Sequence, residues 1–155
     1  PDAPRVFLAA GALEASRKNY PAARASFEKA LAIRPGLRPA IFNLAEVEFA
    51  TGNYAAAQSL YHRLQEGPRS NTDGMLCFRL YLCARLLGDT AGATAVLEHP
   101  GISQHSVGWL YTKSAEALLD GKKSAGRQLS ERAKLLYAGE SQPYEKTLQR
   151  LNLLP

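Results

Sequence analysis

Asn19-Tyr20-Pro21-Ala22-Ala23 recurs 34 residues later as Asn53-Tyr54-Ala55-Ala56-Ala57, and this recurrence decides the fold. The match runs beyond the pentapeptide. At the same offset Phe7, Ala23, Phe27 and Ala30 fall on Ile41, Ala57, Tyr61 and Leu64. A fixed period of this length marks a stacked repeat, in which no unit buries its own apolar face and neighbours must pack together to form a core. Such a fold offers a binding surface, so the function expected of it is binding.

Punctuation residues divide the chain into helices. Asp2 and Pro4 open an apolar-periodic stretch that runs to about Arg17, with Asp2 as N-cap and Pro4 tolerated in the first turn. Lys18-Asn19 turns the chain, Asn19 being suited to the left-handed conformation, and Tyr20–Ile33 forms a second helix stopped by Pro35-Gly36. A second pair follows over Arg38–Thr51 and Tyr54–Glu66, split by Gly52-Asn53 and closed by Gly67-Pro68. After the turn-rich Ser70 to Gly74, the third pair is Met75–Leu87 and a short Thr90–Glu98, ended by His99-Pro100-Gly101. The fourth is Ser103–Leu119 and Lys122–Tyr137. A solitary helix over Pro143–Leu153, capped by Ser141 or Gln142, closes the chain. No alternating run suggests a strand, so the chain reads as all-α.

The pattern resembles tetratricopeptide repeats, antiparallel helix pairs of 34 residues. Repeat one supplies Phe7, Ala10-Gly11, Tyr20, Ala23, Phe27, Ala30 and Pro35. Repeat two supplies Ile41, Leu44-Ala45, Gly52, Tyr54, Ala57, Tyr61 and Leu64. Gly11, Ala23, Ala45 and Ala57 stand where paired helices approach too closely for larger side chains, and the aromatics fill the space between pairs. The third repeat fits less well, with Tyr81 in place of a small residue. The fourth is degenerate, with Lys123 where an aromatic belongs. The resemblance implies a right-handed α-solenoid of about four helix pairs plus a C-terminal capping helix. The whole of 1–155 is then one domain, with repeats near 4–37, 38–73, 74–106 and 107–140 and a cap at 142–153. In the cap, Tyr144, Leu148 and Leu151 are spaced to pack inward.

Composition narrows the function. The 155 residues are 46% hydrophobic and 21% charged, with no run of about 18 apolar residues to span a membrane. Net charge is +5, twelve of the nineteen cations are Arg, and the charges are scattered, which disfavours nucleic acid. The alanine- and arginine-rich usage resembles bacterial members of the family. Pro1 in place of Met marks a fragment or processed chain, compatible with either a cytoplasmic or an exported protein. Cys77 and Cys83, six apart on one helix, point roughly 240° apart and read as two small core thiols.

No catalytic, metal-binding or cofactor-binding constellation emerges. His62, His99 and His105 lack a second ligand at metal spacing, and no phosphate loop or nucleophile elbow is present. Glu46 and Glu48 are two apart on a helix and point in different directions, so they are no acid/base pair. The resemblance puts the first helix of each pair on a concave groove. The expected partner-binding set is Arg5, Leu8, Phe42, Asn43, Glu46, Phe78, Arg79, Arg85 and Tyr111, with Arg79 partly exposed. Aromatics supply area there, and an amide and guanidiniums supply orientation. The carboxylate clamp of chaperone cofactors would need Lys, Asn, Asn, Lys and Arg at Leu8, Ala12, Asn43, Met75 and Arg79, and only Asn43 and Arg79 match. The expectation is thus a non-enzymatic scaffold that holds a protein or peptide with basic and aromatic or aliphatic side chains. One alternative is an assembly scaffold that uses the degenerate last repeat and the apolar tail Leu151-Asn152-Leu153-Leu154. Another is an RNA-binding helical repeat, although Ala9, Asn43, Arg79 and Thr112 show no repeating base-reading code.

Overall fold

The computed structural model describes residues 2–66, 73–99 and 103–155, and every regular element among them is an α-helix. The chain divides into two compact units, Pro1–Pro68 and Arg69–Pro155. The first holds α1 (Ala3–Ser16), α2 (Tyr20–Ile33), α3 (Arg38–Ala50) and α4 (Tyr54–Gln65). The second holds α5 (Asp73–Leu86), α6 (Thr90–Glu98), α7 (Val107–Leu119), α8 (Lys123–Leu136) and α9 (Ala138–Arg150). Successive helices pack as pairs: α1 with α2, α3 with α4, α5 with α6 and α7 with α8. The stops expected at Gly67-Pro68 and Pro100-Gly101, and the turn at Ser70 to Thr72, lie outside the described residues.

The first helix of every pair ends in the same way. Lys18, Gly52, Gly88 and Gly121 take positive φ (61°, 83°, 76° and 79°). The N–H of the following residue then returns to a carbonyl five back: Asn19 to Glu14, Asn53 to Glu48, Asp89 to Ala84 and Lys122 to Ala117, at 2.8 to 2.9 Å. This left-handed C-cap satisfies carbonyls that would otherwise lack partners and turns the chain into the second helix. In repeat one the left-handed residue is Lys18, not the Asn19 suggested by propensity. Asn19 is instead the N-cap of α2, and its side-chain amide donates to Glu14 at 2.8 Å.

Small residues set the spacing within pairs. A Cβ added to Gly11 of α1 would lie 2.5 Å from the Phe27 ring of α2, so glycine alone lets that ring reach across. Ala23 and Phe27 of α2 then pack against Leu44 and Val47 of α3 to form the core of the first unit. Ala45 and Ala57 are fully buried, as their repeat positions require. In the degenerate fourth pair the close contact survives by different means. A Cβ on Gly126 would meet the Leu118 side chain at 2.5 Å. Ser114 in turn donates to the Gly126 carbonyl at 2.8 Å and shares a hydrogen bond with Ser130. Cys77 and Cys83 are both buried in α5 and form no disulfide.

Three helix starts differ most from expectation. Helix α7 begins at Val107, four residues after the expected Ser103, with the Ser106 side chain as its N-cap. Helix α5 begins at Asp73 instead of Met75, which places Gly74 inside it, packed on Gly108 of α7. Helix α9 begins at Ala138, five residues before the expected Pro143, so that Ser141 is a buried helical residue and not a cap. Pro143 cannot donate to the carbonyl of residue 139. Gly139 is exposed, so water can satisfy that carbonyl. α9 also ends with the left-handed C-cap, at Asn152 (φ 57°), with the Leu153 N–H returning to the Leu148 carbonyl at 2.9 Å. Its end thus has the same form as the ends of the first helices of the pairs.

Candidate functional site

Repeat alignment places Leu8, Phe42, Phe78 and Tyr111 at one equivalent position on α1, α3, α5 and α7, with Asn43 and Arg79 next in sequence to the second and third. The structure treats this column differently in the two units.

In the first unit the column is open. Leu8, Phe42, Asn43 and Glu46 are half-buried, and Arg5 is exposed and paired with Asp2 at 3.1 Å. The Phe42 ring is held edge-on against Tyr61 with centroids 6.2 Å apart. The Tyr61 hydroxyl, reaching from α4, donates to Glu46 Oε1 at 2.5 Å. This contact holds the Glu46 carboxylate in place from α4. Glu48, two residues on, is buried and takes hydrogen bonds from Arg24 and Asn53 at 2.9 Å each, which makes it a structural anchor.

In the second unit the same column is covered by α9. Phe78 and Tyr111 are fully buried, and Tyr144 of α9 sits between them. It stacks on Tyr111 with centroids 5.0 Å apart and meets Phe78 edge-on at 5.1 Å. Arg79, expected to be partly exposed, is 5% exposed. Its Nη1 donates to the Thr147 hydroxyl of α9 at 2.6 Å, and its guanidinium lies near the Phe78 ring. Arg85 is also committed to the fold, since it donates to the Tyr81 hydroxyl and to Asp120, each at 2.7 Å, and ties the end of α5 to the end of α7. Of the expected set, then, Phe78, Arg79 and Tyr111 are corrected to buried positions. Leu8, Phe42, Asn43 and Glu46 are half-buried, Leu8 being packed against the core of the first unit, and Arg5 is exposed. Tyr144 packs inward as its spacing suggested, but its seat between Phe78 and Tyr111, and the Thr147 contact to Arg79, were not read from the sequence. The spacing of Tyr144 and Leu148 along α9 was legible, but not the face against which they would lie.

Burial pushes the phenols of Tyr111 and Tyr144 up to about 12, because both lose water and only the neutral form tolerates that loss. The folded value lies above the unfolded value of about 10, so the stabilisation is complete below pH ~10 and disappears as pH climbs from there to about 12. An alkaline titration should therefore show tyrosinate absorbance and loss of helical signal rising together in that window. Tyr144→Phe should shift the loss to higher pH. A fold unchanged through the whole window would contradict the packing.

The architecture defines a class: an all-α helical repeat whose first helices carry an open face in one unit and a covered one in the other. Residues 8–71 match the family model of the tetratricopeptide repeat, a repeat that generally binds proteins or peptides. Two curated relatives are cellulose synthase operon protein C of Escherichia coli (strain K12) and a putative cellulose synthase operon protein C of Escherichia coli O157:H7. Each is 33% identical over 93 residues, which cover 60% of this chain and 8% of the relative. The matched segment is thus a small fraction of those proteins. No solved structure gives a significant match. Among the described residues no helix is long and apolar enough to cross a membrane.

Proposed function

We propose that the chain is a non-catalytic module that binds a protein or peptide segment on the face lined by α1 and α3. The observation that carries this reading is the contrast within one equivalent column: half-buried Leu8 and Phe42 in the first unit, fully buried Phe78 and Tyr111 beneath α9 in the second. An aromatic half-exposed beside an amide and a carboxylate is the composition of a binding hot spot, because it offers apolar area with polar groups to orient the ligand. The way Tyr144 seats itself between Phe78 and Tyr111 indicates what such a column accepts: a ring laid against rings. Glu46 adds a negative charge next to Phe42, which favours a basic group flanking that ring in the ligand. The ligand class is therefore a segment with an aromatic or aliphatic anchor and a neighbouring Lys or Arg.

Panning the intact chain against a displayed random-peptide library tests this. Peptides with an aromatic next to a basic residue should be enriched. Asn43→Ala should weaken the best of them by about 1–2 kcal/mol, while stability stays within about 0.5 kcal/mol. Unaltered affinity in the variant, or enrichment of acidic peptides, would move the binding surface elsewhere.

A further inference from the structure

Helix α8 carries two leucines on its outer face. Leu135 is 84% exposed and Leu136 60%, whereas the buried residues of this helix are the small Gly126, Ser130 and Ala133. The side of α8 that a following helix covers is already taken. Ser141 of α9 donates to the Ala133 carbonyl at 3.3 Å, and Glu145 of α9 pairs with Lys134 at 3.4 Å. Leu135 and Leu136 stay exposed with α9 in place, so this openness is not that of an unstacked end. Counting from the small contact residues Ala23, Ala57 and Gly126, Leu135 corresponds to Ala32 of α2 and to Glu66 just past α4. Arg132 corresponds to Lys29 and Arg63. Those two cations are used within the fold: Lys29 lies over the Phe7 ring at 5.8 Å, and Arg63 donates to the Pro35 carbonyl at 3.1 Å. Arg127 and Arg132 have neither a hydrogen bond nor an ion pair among the described residues.

The face is concave. A cleft of about 530 Å³ runs along Ser124, Arg127, Gln128, Glu131, Arg132 and Leu135, a row at helical spacing that covers about three turns, or ~17 Å. A second cleft of about 200 Å³ adjoins it at Arg132 and lies between Leu136 of α8 and the half-buried Trp109 of α7. Tyr137 closes its end, with its hydroxyl donating to the His105 carbonyl. Tryptophan, tyrosine and arginine around an apolar depression are the residues that carry most of the energy of protein interfaces. The charge is one-sided. Along this row Lys123, Arg127 and Arg132 stand against Glu131 alone, since Lys134 is held by Glu145.

We propose that the outer face of α8 docks a helix of another protein, acidic along its flanks and carrying a leucine or aromatic side chain that enters the cleft at Trp109. A straight row of three turns suits a helix laid beside it, and the excess of cations selects carboxylates opposite Arg127 and Arg132. A second copy of this chain would set the same excess of cations against itself. A flat lipid surface would leave both clefts empty. The proposal is independent of the α1–α3 face, which favours a basic ligand. Short peptides without structure of their own would have to order themselves to fit this row, so a preformed helix is the probe it calls for.

That probe is a stapled helical peptide of about four turns, with leucines along one stripe and glutamates beside it. Its control carries lysines in place of the glutamates. Trp109 is the only tryptophan in the chain, so its emission reports directly on the cleft. The glutamate probe should shift that emission saturably, and the lysine probe should bind more weakly by about tenfold or more. Arg132→Glu and Leu135→Ser should each weaken the glutamate probe by about tenfold, with melting temperatures near that of the parent, because both side chains are exposed. Asn43→Ala should leave this binding unchanged, which separates it from the α1–α3 face. No response to either probe, an equal response to both, or a response that survives Arg132→Glu would overturn the proposal. So would binding to phosphatidylserine vesicles with no response to either helix, which would give the face to a lipid surface. A dimeric mass abolished by Leu135→Ser would overturn it too, and give the face to a second copy.

Discussion

Tyr144→Ala should be the most damaging single truncation in the second unit, costing about 3–5 kcal/mol in chemical denaturation. The ring is 5% exposed and lies against two other buried aromatics, so its removal leaves a cavity that a helix on each side cannot collapse to fill. α9 rests on this contact, on the Arg79–Thr147 hydrogen bond and on buried Leu148. Loss of Tyr144 should therefore loosen the whole of α9, not merely its middle turn. Amide exchange should accelerate from about residue 138 onward. The labelling of Cys77, next to Phe78, should rise in parallel. Tyr144→Phe keeps the stacked ring and should cost no more than about 1 kcal/mol. Comparable losses for the alanine and phenylalanine variants would show that the hydroxyl, and not the ring, holds α9.

Gly108→Val should cost about 3 kcal/mol, at the upper end of overpacking, because the obstacle is backbone. A Cβ at position 108 would stand 2.5 Å from Gly74 Cα and 2.6 Å from its carbonyl carbon and oxygen. No rotamer change relieves such a clash. Helix α7 would have to move off α5, and the Phe78–Tyr111 contact nearby would open with it. Gly74→Ala offers the contrast. Its Cβ would meet Gly108 Cα at 3.4 Å and the Tyr144 hydroxyl at 3.3 Å, a shortfall of a few tenths of an ångström and not an overlap with backbone. That variant should lie within about 1 kcal/mol of the parent in the same denaturation experiment. A severe loss in Gly74→Ala with a mild one in Gly108→Val would mean that the helices cross elsewhere.

The recurrence of Asn19 to Ala23 at Asn53 to Ala57 determined the helix pairs, their small contact residues and their order. These features repeat with the local chain, and packing a helix against its immediate neighbour needs only the face that periodicity reveals. Gly52, Gly88 and Gly121 were legible as turns for the same reason, since a left-handed C-cap is a local demand that glycine meets without strain. Lys18 was not, because there tertiary and capping contacts override the propensity of a single residue.

Exposure was decided only in the tertiary structure. Phe42 and Phe78 occupy the same repeat position, and so do Asn43 and Arg79, yet one pair lies on an open face and the other is buried. The difference comes from α9, sixty residues beyond Arg79, which starts before Pro143 and lays Tyr144 and Thr147 over the column. A period specifies which side of a helix a residue occupies. Whether water or a distant segment of the chain meets that side is set by non-local packing.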